Sequence, residues 1–425
     1  MKPRSGGAAT AVRPLWRGRV LALFAIVLVA LNLRTAVAAL SPIFDEISAD
    51  IPLGSVGIGL LGMLPPICFA VVGLLAPALH RRFGLERVVI GALLAILLGQ
   101  LARGASGSYL LLVLASTLTF AGMGVANVLL PPLVKRYFPD RIGLVTSLYA
   151  TVMAIGASVP ALIAVQVSDS AGWRISVGMW SVLALVALLP LVLLSVRERR
   201  ARRGKAAAAA GDPGAPADGS EVDAPTPATF GRIWRSSIAW SLMLVFAVTA
   251  LNSYALFAWL PEILVDVSGV SQEQSGALLS LFAVMGLPAA LLVPILAARM
   301  RNVYPLVAAG AIFDILGYAG LLLVPEAGTW LWVALIGLGG LLFPLCLVLI
   351  NLRTRTHAGS VALSSFVQSF GYALGALGPL LLGVLHEASG GWTIPLLFLL
   401  ATALTLAICG IVVSKPRMLE DQWHN

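Results

Sequence analysis

Twelve stretches of this sequence are apolar for long enough to cross a lipid bilayer, and nothing else in it constrains the fold as strongly. They fall at about 20–41, 55–79, 88–102, 108–134, 142–167 and 174–196, and again at about 237–261, 275–298, 303–324, 329–350, 360–386 and 392–414. Roughly 20 residues rising 1.5 Å each span the ~30 Å hydrocarbon layer. No water reaches backbone N–H and C=O groups in that layer, so each run must satisfy its own and is expected to be a helix. Composition agrees: 59% of the 425 residues are hydrophobic and only 11% charged, where soluble domains carry about 25% charge. A soluble enzyme and a disordered chain are excluded. Cys68, Cys346 and Cys409 all lie in apolar runs, which gives buried thiols rather than a disulfide framework.

The few charges are unevenly placed. When alternate connections are assigned to opposite sides, 25 of the 28 Lys and Arg residues share one side: Lys2 to Arg19, Arg81 to Arg87, Lys135 to Arg141, Arg197 to Arg235, Arg299, Arg301, Arg353, Arg355, Lys415 and Arg417. The other side holds Arg103 and Arg174 among acids such as Asp45, Glu46, Asp50, Glu262 and Asp266. Basic connections stay cytoplasmic, so both termini are expected in the cytoplasm, with the chain multi-pass in an inner (plasma) membrane. The net charge of +9 then reads as a topology signal and not as a nucleic-acid footprint. Arg34 and Asp314 remain as the charges expected inside the hydrocarbon, and Arg103 is expected to snorkel from the end of the short third run. Residues 13–38 share the layout of a secretory leader, but Arg34 beside its small-residue site and the spans downstream make it a retained first helix.

The twelve runs divide six and six around residues 197–236, which open with RERRARRGK and continue without apolar period, as a flexible cytoplasmic linker. Residues 1–196 and 237–425 are expected to form the two bundles. Sliding the halves over each other supports a duplication. At an offset of 219, Gly156 falls on Gly375, Pro160 on Pro379 and Trp173 on Trp392; at 220, Asn32 falls on Asn252 and Leu40 on Leu260. Each half has an even number of spans, so the repeats are parallel. The fold class is therefore an all-α membrane protein of twelve transmembrane helices in two parallel six-helix bundles, an architecture that resembles major facilitator transporters. There is no G-x-x-x-x-G-K-S/T phosphate loop and no H-E-x-x-H. No cofactor, metal or enzymatic chemistry is expected, and energy must come from a gradient, with protons as the candidate coupling ion.

Several segments resemble one family in particular. Asn32-Leu33-Arg34 followed by Pro42-Ile43-x-x-Glu46-Ile47, the Leu64-Pro65 pair, Arg81-Arg82-Phe83-Gly84-Leu85-Glu86-Arg87 and Tyr254-Ala255-Leu256-x-Ala258-Trp259-Leu260-Pro261 are similar to the cyanate and 2-nitroimidazole transporter family. The superfamily's usual acidic residue after the second span is missing, because Gly73-x-Leu75-Ala76 is followed by Pro77. The resemblance implies a small substrate, anionic or polar aromatic.

Arg34 is the leading candidate for substrate binding. It lies 14 residues past Val20, about 21 Å along a helix, where an arginine costs about 2.5–3.5 kcal/mol to insert. A forked, permanent cation there suits a carboxylate or a linear anion; the alternative is a snorkelled side chain, or one paired with Asp45 or Glu46. On the eleventh run Ser364, Gln368, Tyr372, Gly375 and Pro379 share a helical face, matched on the fifth by Val145, Tyr149, Met153, Gly156 and Pro160. Tyr149, Tyr254, Gln368, Tyr372 and Asn127 are thus proposed to line the cavity, and Asn32 to brace a helix pair. Trp259 is read as an interface anchor or outer gate. Gly375 and Pro379 mark close packing or a hinge, and Asp314 either a coupling carboxyl or one bonded to a neighbouring helix. The expected partner is a small solute, carried by a monomer: an anion moved by alternating access or, as the rival reading, a neutral or weakly basic aromatic compound that is exported. A non-transporting membrane sensor is the third possibility.

Overall fold

A computed structural model describes residues 19–138, 140–209, 232–355, 357–414 and 417–423. Lys2, Arg4, Arg13 and Arg17, and linker residues 210–231, lie outside them. All secondary structure among the described residues is helical, and twelve segments are long and apolar enough to span a membrane. In the first half, α1 (Val20–Ala38) passes through a 3-10 turn (Ser41–Ile43) into the short α2 (Phe44–Asp50). It is followed by α3 (Ser55–Phe83), α4 (Leu85–Gly104), α5 (Tyr109–Tyr137) and α6 (Ile142–Ala171). The sixth span joins α7 (Trp173–Gly178) to α8 (Ser181–Ala209). The second half holds α9 (Ser237–Ser268), α10 (Gln272–Arg299) and α11 (Tyr304–Leu323). Its tenth span is α12 (Thr329–Gly339) and α13 (Leu342–Leu352), its eleventh α14 (His357–Gly375) and α15 (Leu377–Ser389), and its last α16 (Thr393–Ser414). The face bearing the starts of α1 and α9 is called the linker end, and the opposite face the distal end.

Two features were not read from the sequence. The start of the linker, expected to be mostly flexible, is helical as far as Ala209, where α8 continues the sixth span. Its Arg and Ala residues lack apolar period but are the strongest helix formers. The sixth span breaks at residues 179–180 without a proline at the gap, and the first, tenth and eleventh spans are also not single rods. Each is interrupted, at residues 39–40, 340–341 and 376, just ahead of Pro42, Pro344 and Pro379. A proline has no N–H for the carbonyl four residues back, which leaves Ala38, Gly340 and Gly375 without their ordinary helical donor. Proline alone does not decide the matter, since α6 runs unbroken through Pro160 and α9 through Pro261.

The duplication read from the sequence is repeated in the packing. Gly156 of α6 lies so close to α1 that a Cβ there would stand 2.5 Å from the Leu31 carbonyl oxygen. Gly375 of α14 meets α9 in the same way, at 2.8 Å from the Ala250 Cβ and 3.2 Å from the Leu251 nitrogen. Leu31 and Leu251 are themselves 220 residues apart. The distal ends match as well: Trp173 Nε1 donates to Asp50 at 2.9 Å, and Trp392 Nε1 to Asp266 at 2.9 Å.

Close helix approach through small residues is a main source of cohesion in bilayers. Gly156→Val and Gly375→Val are each expected to destabilise the folded protein by about 1–3 kcal/mol through overpacking. Gly73→Ala on α3, where a Cβ meets nothing within 4 Å, should stay within about 0.5 kcal/mol of the parent. Thermal unfolding of the detergent-solubilised chain checks all three.

Candidate functional site

The lobes touch along their distal halves. Pro379 of α15 packs on Gly59 and Gly62 of α3, and Gly276 of α10 on the Ala161 carbonyl of α6. Gln166 Nε2 donates to Glu273 at 3.2 Å, and Gln272 to Asp45. At mid-depth the seal ends in three rings from both lobes, Phe69 of α3 with Tyr254 of α9 and Tyr372 of α14. Their centroids stand 5.8–6.4 Å apart, each pair edge to face.

Arg34 lies against these rings. Its Nη1 donates to the Tyr254 hydroxyl at 3.3 Å, and the Tyr372 hydroxyl faces the same guanidinium without completing a hydrogen bond. No acid among the described residues pairs with it. Arg34 is half-buried while both tyrosines are buried. Arg34 and Tyr254 are 220 residues apart, the repeat offset itself. They are therefore equivalent positions of the two halves, meeting on the axis that relates them. The expected alternatives, pairing with Asp45 or Glu46 and snorkelling, are not what the structure shows.

The other expected lining residues sit at varying distance from this centre. Gln368 is half-buried, with Nε2 donating to Ser364 at 2.7 Å one turn away. Its repeat mate Tyr149 is half-buried against the core, and Asn127 is half-buried on α5 without a hydrogen bond among the described residues. Gly375 and Pro379 serve helix contacts on either side of the break at residue 376. Asp314 is buried in the wall of its lobe, its carboxyl filling the space over Gly339 at the break in the tenth span. It does not join the guanidinium.

Two expectations fail and one narrows. Of the two readings of Trp259, the lipid-interface anchor is not what the structure shows: the residue is 0% exposed, donates from Nε1 to the Pro379 carbonyl at 2.8 Å and packs against Trp392. Asn32 does not brace two helices but donates to the Leu28 carbonyl of its own helix at 2.8 Å. Its mate Asn252 does the bracing, accepting from Thr402 of α16 at 2.9 Å. Arg103 does not snorkel and is 0% exposed. Phe69 was not foreseen, because an aromatic ring among apolar neighbours leaves no mark in a hydropathy pattern.

Twelve spans in two like halves, meeting at a cation that no acid among the described residues pairs, are the arrangement of a membrane transporter. The Major Facilitator Superfamily pattern matches residues 22–376, and the chain belongs to that superfamily. It is 30% identical over 406 residues to the 2-nitroimidazole transporter of Escherichia coli, covering 95% of this chain and 98% of that one. To the cyanate transport protein CynX of the same organism it is 28% identical over 372 residues, covering 87% and 91%. Among solved structures it superposes on a bacterial homolog of the human lysosomal transporter Spinster, in an inward-facing and occupied conformation. The TM-score is 0.71 at 16% identity, over 97% of this chain and 99% of that one.

The phenol on Arg34 is one neutral acceptor, and its loss removes a single hydrogen bond. Tyr254→Phe is therefore expected to cost about 0.5–1.5 kcal/mol, read as a lowered melting temperature in detergent and not as loss of the fold.

Proposed function

We propose that this protein carries a small monoanion with a flat or compact apolar body across the inner membrane, alternating between states open to either side. The observation that carries the reading is Arg34: a permanent cation at mid-depth, on the axis between the lobes, bonded to a phenol and not to an acid. Desolvated arginine is normally paired, and here the charged partner is taken to be the solute. A guanidinium presents two parallel donors to a carboxylate or to a small conjugated anion such as cyanate. The rings of Phe69, Tyr254 and Tyr372 supply the apolar wall, with Gln368, Tyr149 and Asn127 extending it. The basic connections place the linker end on the cytoplasmic side in this reading, with Trp259 and Pro379 in the outer closure. Asp314 is assigned to holding α11 against α12.

One observation favours a second reading. The three rings around the site also suit a neutral planar compound, and a relative is named a 2-nitroimidazole transporter; export of such a compound would depend on the rings more than on the charge.

Uptake by proteoliposomes separates the two. With labelled cyanate and benzoate as probes, Arg34→Gln is expected to lose roughly ten- to hundredfold in transport, the worth of one or two charge-assisted hydrogen bonds. Arg34→Lys, which keeps the charge and loses the fork, should fall between. Unchanged uptake by both variants removes Arg34 from the site. If anion flux is absent and 2-nitroimidazole flux survives Arg34→Gln but not Phe69→Ala, the second reading holds.

A further inference from the structure

Arg103 is the largest buried charge that the proposed function leaves unused. It lies in the last turn of α4, is 0% exposed, and makes no ion pair among the described residues. Its Nη1 donates to Gln100 at 3.3 Å within its own helix, and its Nη2 to the Ala36 carbonyl of α1 at 3.1 Å. The guanidinium stacks over Phe120 of α5, 5.5 Å from the ring centre. A buried cation without an acid needs other negative charge, and the C-terminal carbonyls of helices supply it. Arg103 has two such ends, that of α4, to which it belongs, and that of α1, which it crosses to reach.

The place it reaches is special. The ladder of α1 closes with Ala39 N–H on Thr35 at 3.1 Å. The next carbonyl, Ala36, is the one Arg103 takes. Beyond it the chain turns through Ser41–Ile43 with Pro42 at its start and re-forms as α2. Ala36 is two residues past Arg34. The segment after the break belongs to the distal seal: Pro42 stands by Gly276 of the other lobe, and Asp45 accepts from Gln272. A void of about 20 Å³ beside the break is lined by Val37, Leu40, Ser41, Phe44, Phe120 and Tyr254, among others. That is room for about one water. The second half has neither feature: α9 is continuous through the matching residues, and Leu322 and Leu323 stand where Arg103 would recur.

We propose that Arg103 is a positioning residue, holding the hinge at the end of α1 that links the cation site at Arg34 to the distal closure. A hinge is a few element-terminal residues that absorb the backbone change between states, and Arg103 fixes the carbonyl on its fixed side. Loss of that hold frees residues 39–50 to leave their seat more often. The inference uses the proposed function only for what Arg34 binds, and its test contains no substrate, so it stands or falls separately from the anion reading.

The reporter is Ser41→Cys, at a position 6% exposed in the closed distal face, in full-length detergent-solubilised protein with Cys68, Cys346 and Cys409 changed to Ala. The rate of labelling by a maleimide dye measures how often the segment lifts. Arg103→Met, which fills the space without the donors, is expected to raise that rate at least about fivefold, while Arg103→Lys, with one donor for Ala36, brings it back toward the parent. A merely structural role lowers the melting temperature and leaves labelling unchanged; that result in the folded Met variant overturns the proposal, as does a Lys variant labelled as fast as Met. If the Met variant does not fold, Phe120→Leu, which removes the ring beneath the guanidinium, is read in the same assay. There a faster rate supports the hinge and an unchanged rate overturns it.

Discussion

Arg34 and Tyr254 hold the same position in the two halves, and such a pair touches only where that position lies on the axis relating them. Everything central to the molecule is arranged around this meeting point. Two arginines there would repel one another in a poorly hydrated space, and two phenols would offer an anion no charge. One of each gives the cation a neutral acceptor that it can exchange for a charged one. Hydrogen bonds to an ionised acceptor are about twice as strong as those between neutral groups, so on the proposed reading a solute anion would outcompete the phenol, and the phenol would cover the cation once the solute had left. The duplicated fold creates the axis, and departure from the duplication makes it useful.

The same departure decides where the bundles bend. In lipid every carbonyl that loses its helical donor needs a substitute, so breaks are confined to places where one is at hand or water can enter. The first span breaks where Arg103 reaches Ala36, whereas its counterpart α9 continues. The eleventh breaks beside Pro379, whose missing N–H frees the Gly375 carbonyl, whereas α6 passes through Pro160 unbroken. At these two places one half is interrupted where the other is continuous.

How much of this was legible in the sequence follows from what periodicity and hydropathy record. The spans, the two halves and the isolation of Arg34 were readable because a bilayer imposes length and forbids stray charge. Depth near a membrane surface was not. Arg103 and Trp259 both lie close to the ends of apolar runs, where a long or amphipathic side chain ordinarily turns to the headgroups. Here the Arg103 guanidinium is taken up by the Ala36 carbonyl and the Phe120 ring and the Trp259 indole by Pro379 and Trp392, so both side chains are enclosed. The indole–carboxylate pairs at Trp173 and Trp392 were half visible: the tryptophans recur at 219, but their acids, Asp50 and Asp266, are 216 apart, since the connections differ in length. Helix across the linker's start was missed for another reason, because it rests on the propensity of Ala and Arg, which a search for apolar period ignores.

A cation that stays ionised throughout the cycle imposes a condition on the empty carrier as well as on the loaded one. If the lobes rock as proposed to open the distal face, the contacts of Pro379 with Gly59 and Gly62 must part, while Arg34 on one lobe and Tyr254 on the other meet at the axis that relates them. Groups close to such an axis move least. On that reading the phenol would accompany the guanidinium through both states and keep its desolvation from becoming a barrier to the return of the unloaded protein. The rims, by contrast, carry contacts that are individually weak: small residues against proline, and glutamine against carboxylate. A seal of that kind opens without exposing an unpaired buried charge.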